Sequence, residues 1–224
     1  MTVMLSTNAY GAVIRPYERS DRSAVREICF ETADRGRPMA VLCPDREAVA
    51  DLLTRYYTDW EPWSTWVACI DGQVIGYLTG SLNTRRYQRV MRTWIVPEVL
   101  GQALLRGALL HRSTWQLVRA AWMTWQQGGF RRLHPPQGYP AHFHLNIRER
   151  FRGAQVGHKL VERFCAHTEA AHVPGIHLSA REDNINACRF FERLDFRSVG
   201  RYPVVLPEEG SYRMHYTVVY AKPL

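Results

Sequence analysis

"HFHLNIRERFRGAQVGHKLVERF", His142 to Phe164, begins as an alternating apolar strand, breaks at an Arg-Gly turn and continues as a helix. The change of apolar period from two to about 3.6 marks a strand–turn–helix unit. The first turn of a helix leaves backbone N–H groups unpaired and carries the positive end of the helix dipole. Arg152 adds a fixed charge there, and Gly153 and Gly157 allow a ligand close to the backbone. A pyrophosphate suits such a turn. Gln155 is the odd residue, because loops of this kind usually want another glycine at that place.

Outward from this unit, strands and helices alternate. "GAVIRPY" reads as a first strand, and Ser20 or Asp21 caps a helix with Val25, Ile28 and Cys29 on its apolar side. A second helix starts near Asp45, with Ala48, Val49, Leu52, Leu53 and Tyr56 on one face. Two β-rich runs then flank Asp71-Gly72, the dipeptide of a tight hairpin. From about Asn83 to Tyr139 the character turns helical. Pro97 stands at a first helical position, Ser113 and Gln116 form a capping box, and Gly128-Gly129 ends the last helix. We read this stretch as a helical insertion in a single domain, 1–224. After the strand "AHFHLNI" come a helix from about Gly157 to Ala171, the strand "GIHLSA", a helix from Asn184 to Leu194 and two final strands. Without the insertion the order is β-α-α-β-β-β-α-β-α-β-β. That is an α/β protein with a mixed central sheet of about seven strands and helices on both faces.

Composition narrows the partners. Apolar residues are 46% of the chain, enough for a real core, and the net charge of +8 attracts anions. Nucleic acid, a membrane surface and a multiply phosphorylated cofactor all satisfy that charge. The basic run "NTRRYQRVMR" comes with no nucleic-acid motif, so nucleic acid is not the expected partner. Arg106, His111, Arg112 and Arg119 break up the apolar length of the insertion, and no membrane partner is expected. Five dispersed cysteines without C-x-x-C spacing read as reduced thiols. With no basic-then-apolar leader pattern at the start, the expected location is the cytoplasm. No metal set is expected.

Asn184, Ala187, Phe190, Phe191, Leu194 and Phe196 follow N-x-x-A-x-x-F-F-x-x-L-x-F spacing. Together with Arg152 and Gly157, which match the ends of an R/Q-x-x-G-x-G/A turn, this resembles the GNAT superfamily of acyl-CoA-dependent acetyltransferases. "RYYTDWEP", "STWVACIDGQVIGYLTGSLNT" and "YPAHFHLNI" look closest to bacterial relatives of the acetyltransferase-like domain of O-GlcNAcase. The resemblance implies a GNAT fold, acetyl-CoA as cofactor and transfer of acetyl to a small amine or an exposed amino group. It implies that Leu145, Asn146 and Ile147 pair with the pantetheine arm. Gly153, Ala154, Gln155, Val156, Gly157 and His158 would offer backbone amides to the pyrophosphate, beside Arg152. Asn184 would contact the cofactor arm, with Ala187, Phe190 and Phe191 alongside.

Two departures bear on activity. Gln155 replaces a motif glycine, so its side chain points to solvent, takes over a phosphate contact or weakens binding. Phe191 stands where the family often has a tyrosine that protonates the leaving thiolate, and Asp195 where a glycine is usual. Another donor then serves, or the thiolate leaves unaided, or the chain binds acyl-CoA without catalysis. The amine must lose a proton before it attacks, so a base is useful. His142 and His144 share one strand face with Asn146 and are the first candidates, against a reading as buried hydrogen-bonded histidines. Glu61 is the next, against a reading as an exposed loop carboxylate. Trp94, Trp115, Trp122 and Trp125 of the insertion read as core or as a homodimer face.

Overall fold

A computed structural model describes residues 11–32, 45–129, 135–153, 155–208 and 211–224. Seven strands form one sheet in the order β1-β2-β3-β4-β5-β7-β6. They are β1 (Val13–Pro16), β2 (Thr65–Ile70), β3 (Gln73–Ser81), β4 (Ala141–Ile147), β5 (Gly175–Arg181), β6 (Arg197–Glu208) and β7 (Ser211–Pro223). All neighbours are antiparallel except β4 and β5. The β2–β3 hairpin turns at Asp71 and Gly72, both with positive φ, the backbone that the Asp-Gly pair supplies at low cost.

Helices cover both faces, as alternation along the strands requires. On one face α6 (Val156–Ala170) buries Leu160, Val161 and Phe164 against Trp66, Ala68, Leu78 and Phe143, with α7 (Ile185–Glu192) at its side. On the other, α1 (Arg22–Thr32) buries Val25, Ile28 and Cys29 against Val67, Cys69 and Tyr77. Asp45 caps α2 (Arg46–Arg55) by accepting from the Ala48 amide. Before α1, Asp21 closes a short 3-10 turn. Its carboxylate accepts from the Glu18 amide and from the Arg15 guanidinium.

Among the described residues three α-helices lie between β3 and β4: α3 (Thr84–Val90), α4 (Val96–Leu105) and α5 (Arg112–Gln126). A π-helical turn, Met91–Ile95, joins α3 to α4 without a break. Pro97 therefore sits inside a continuous helical run rather than at its start. A proline there has no N–H to give to the preceding turn, and a π-turn is one way a helix absorbs that loss. The helix α5 also begins one residue before the expected Ser113. The His111 carbonyl accepts from Thr114, so Ser113 is already helical and forms no capping box. The tryptophans, read as core or as a homodimer face, are mostly not core. Trp66 is buried, whereas Trp63, Trp94, Trp115, Trp122 and Trp125 are each more than half exposed. Among the described residues no helix is long and apolar enough to cross a membrane.

Candidate active site

The sheet opens where its parallel pair, β4 and β5, diverges. β4 and β5 pair at Ala141 with Ile176 and at His142 with His177, and no further along among the described residues. Beyond His142, β4 stays on β3 as far as Ile147, while β5 stays on β7 as far as Arg181. The two strands thus leave each other with peptide groups facing an opening. A cleft of about 980 Å³ fills it, lined by both strands, by the turn before α6 and by α7. Such a volume lies within the range of cofactor sites.

The expected cofactor residues line this cleft with few exceptions. Leu145, Asn146, Ile147, Arg152, Gly153, Gln155, Gly157, His158, Asn184, Ala187, Phe190 and Phe191 all border it. Val156 does not, because its side chain is buried in the core under α6. Ala154 lies outside the described residues.

The turn explains its own sequence. Gln155 has φ 60° and ψ 3°, a left-handed backbone, and it immediately precedes α6. Glycine takes that conformation without strain, which is the physical reason for glycine at such a place, and a side chain there costs roughly 1 kcal/mol. Gly157 is glycine for a different reason. A Cβ there would lie 3.1 Å from Phe190 Cζ and 3.3 Å from Ile147 Cδ1, so its absence lets α6 and α7 close on β4. Arg152 is partly spoken for, since its Nε donates to the Ile147 carbonyl at 3.1 Å. It fastens the turn to the end of β4.

At the closed end of the gap the sequence places a cluster of rings. His142 Nε2 is 2.8 Å from the Tyr57 hydroxyl, and its Nδ1 is 2.7 Å from the Thr84 hydroxyl. Both ring nitrogens are therefore occupied. His144 lies against Tyr57 and His142 but hydrogen-bonds to no described residue, and it opens onto the cleft. His177 was not foreseen, because only the β4–β5 register brings it beside His142, with ring centroids 5.7 Å apart. Its Nδ1 lies 2.7 Å from the Tyr139 carbonyl, which can only accept, so Nδ1 carries the proton and Nε2 has a lone pair.

Burial pushes the His142 imidazole well below its ordinary range, and His144 and His177 add to this. Burial also pushes His144 down, to about 4, again with His177 contributing. His144 nevertheless has open surface toward the cleft, and water there opposes the shift. The direction keeps these imidazoles neutral at pH 7, and His144 is the one of them that borders the cleft.

Glu61 is the opposite of an exposed loop carboxylate. It is 3% exposed, and four donors converge on its two oxygens. They are the Tyr56 hydroxyl at 2.7 Å, Ser64 at 3.0 Å, Ser81 at 2.8 Å and the Leu82 amide at 2.8 Å. With its oxygens filled and no edge on the cleft, Glu61 is placed to hold structure. It ties the π-helical turn Tyr56–Trp60 to the end of β3, and so sets Tyr57 against His142.

Residues 119–196 match the model of the acetyltransferase (GNAT) family. The seven-stranded mixed sheet with helices on both faces is shared with solved structures of that fold. The chain has a GNAT fold. It is similar over 95% of its length to the structure titled SsHAT, at 25% identity and a TM-score of 0.69, covering 98% of that chain. Over 95% of its length it is also similar to yncA of Salmonella typhimurium, whose structure holds its cofactor acetyl-CoA. There the identity is 14%, the TM-score 0.55 and the coverage of that chain 94%. A ribosomal-protein-alanine N-acetyltransferase from Brucella melitensis shares the fold at 15% identity and a TM-score of 0.55, covering 94% of this chain and 99% of that one.

Asn184 both caps α7 and borders the cleft. Asn184 Oδ1 accepts from the Ala187 amide at 3.2 Å and so caps the helix. Its amide nitrogen is left for the cleft that it borders. Phe191 is 8% exposed, between Phe143, Phe190 and Phe196, and offers no proton. Asp195, like Gln155, holds a left-handed backbone, φ 65°, where the GNAT motif usually has glycine. Among the described residues no group of histidine, cysteine, aspartate and glutamate is placed to hold a metal ion.

Proposed function

We propose that the chain is an acetyl-CoA-dependent N-acetyltransferase acting on a small amine or an exposed amino group. We place it with bacterial relatives of the O-GlcNAcase acetyltransferase-like domain, and its work in the cytoplasm. The observation that carries the reading is the β4–β5 gap, with peptide groups on one wall and the Arg152–His158 turn at its open end. The fit is chemical as well as spatial. A pantetheine arm presents amides to pair with a strand, and a pyrophosphate suits the amides at the start of α6. Leu145, Asn146 and Ile147 hold the arm, Gly153 to His158 the pyrophosphate, and Asn184, Ala187 and Phe190 the opposite wall. Bound acetyl-CoA supplies the acetyl group as a thioester.

The chain's own part is to orient the amine and take its proton. His144 is the residue for that step, since it is neutral, opens onto the cleft and has no hydrogen bond to a described residue. His142 orients it through ring contact and is itself held by Tyr57 and Thr84. A backbone N–H of β4 facing the gap stabilises developing negative charge. Phe191 leaves the thiolate without the usual tyrosine acid. That residue, with Gln155, supports a second reading in which the chain binds acyl-CoA and does not transfer it.

Thioester turnover against a panel of amines separates the two. The proposal expects turnover, a loss of roughly 10²-fold or more in His144→Ala, and a gain in Phe191→Tyr if thiolate departure limits the rate. It also fixes a pH profile. The active form of His144 is neutral and its pKa is lowered, so activity is kept at high pH and the enzyme-derived limb falls away below the ordinary histidine value of about 6.5 as the imidazole protonates. Acetyl-CoA binding without turnover on any amine, in wild type and Phe191→Tyr alike, leaves the binding module.

A further inference from the structure

On α5, Trp115, Val118, Trp122 and Trp125 follow one another at spacings of three, four and three residues, a single helical stripe. The opposite side of α5, at Ala120 and Thr124, is buried on β6, where the Val205 amide donates to the Thr124 hydroxyl at 2.8 Å. The stripe therefore points straight away from the sheet, and each of its four residues is more than half exposed. Leu105 and Leu110, at 90% and 89%, lie open just before it. With about 150–250 Å² for each whole aromatic side chain, α4 and α5 leave on the order of 1,000 Å² of apolar surface open. A monomer's largest apolar patch is about 300–600 Å², whereas one partner of a stable interface contributes about 800 Å².

The geometry points to a second copy of this chain as the occupant, bound through α5 about a two-fold axis. The stripe is symmetric about residue 120. An antiparallel α5 from a second copy sets Trp115 against Trp125 of that copy, and the small Val118 against the large Trp122 of that copy. Each pairing then occurs twice, as an isologous contact requires. Charge agrees with this choice. A surface that binds an anionic bilayer gathers about four to eight cations. The helix α5 has two, Arg112 and Arg119, set beside the stripe rather than on it, and Arg119 lies over Tyr212. Arg106, at the end of α4, is paired with Asp45. Two arginines at the edge are a polar rim, and a centre without Lys, Asp or Glu is interface composition.

Light scattering on the wild-type chain should give twice the 26.0 kDa chain mass. Trp122→Glu, an exposed position, should give a folded monomer. Val118→Trp overfills the pairing and should raise the dissociation constant at least tenfold, while Val118→Trp with Trp122→Val exchanges large for small and should restore the dimer. A wild-type monomer at about 100 µM would overturn the proposal, as would a dimer indifferent to Trp122→Glu. Failure of the double variant to recover would overturn the antiparallel pairing. A monomer that floats with phosphatidylglycerol vesicles would assign the stripe to membranes instead.

Discussion

Gly157→Asp should lower acetyl-CoA affinity by about a hundredfold or more in a calorimetric titration. Two effects act together. The new Cβ meets Phe190 and Ile147 at 3.1–3.3 Å, tighter than ordinary contact, so α7 or the end of β4 must move. The new carboxylate then sits at the start of α6, where the proposal puts a pyrophosphate. Like charges about 4 Å apart cost roughly 1 kcal/mol in water and about 4 kcal/mol at an effective dielectric of 20, and each 1.4 kcal/mol is tenfold. Gly157→Ala separates the contact from the charge and should lose less. Gln155→Gly is the converse change, since it relieves a left-handed side-chain residue, and it should leave affinity equal or better. A tenfold loss there would make the Gln155 side chain a ligand. Unchanged affinity in folded Gly157→Asp would remove the phosphate assignment from this turn.

The second large effect is on stability. Glu61→Ala strands two hydroxyls of the Tyr56–Ser81 cluster, the Ser64 hydroxyl and the Leu82 amide, all of which donate to one buried carboxylate. Each buried donor left without an acceptor costs about 1–3 kcal/mol, and with some of the four finding new partners the loss is about 3–5 kcal/mol. For a chain of 224 residues that is a fall in Tm of roughly 6–20 °C by calorimetry. Glu61→Gln keeps one acceptor oxygen but turns the other into a donor facing donors, and should fall between. A melting point within about 2 °C of wild type in Glu61→Ala would show that the network contributes little.

The fold was legible because its decisive signals are local. Asp71-Gly72 specified a hairpin, Asp45 a helix cap, and the change of period at Arg152 a strand–turn–helix, and the structure has each of them. The alternation of His142, His144 and Asn146 likewise put them together. What local pattern could not supply was register. His177 joins the cluster only because β5 aligns it with His142, and a histidine in "GIHLSA" carries no mark of that partner. Glu61 looked like a loop carboxylate, since its donors come from residues up to 21 positions away in the chain. For the tryptophans of the insertion the pattern left core and homodimer face open, and only the core reading fails. Apolar periodicity on α5 is real, but it does not say whether the covered face is inside the molecule or outside it.

The activity proposed for this chain depends on the gap between β4 and β5. A crystal structure grown with acetyl-CoA tests that most directly. The pantetheine arm should lie along Leu145–Ile147, with the pyrophosphate against the amides of Gly153–His158 and the acetyl group toward His144. Acetyl-CoA bound anywhere else, or a gap that stays empty at a saturating concentration, would contradict it.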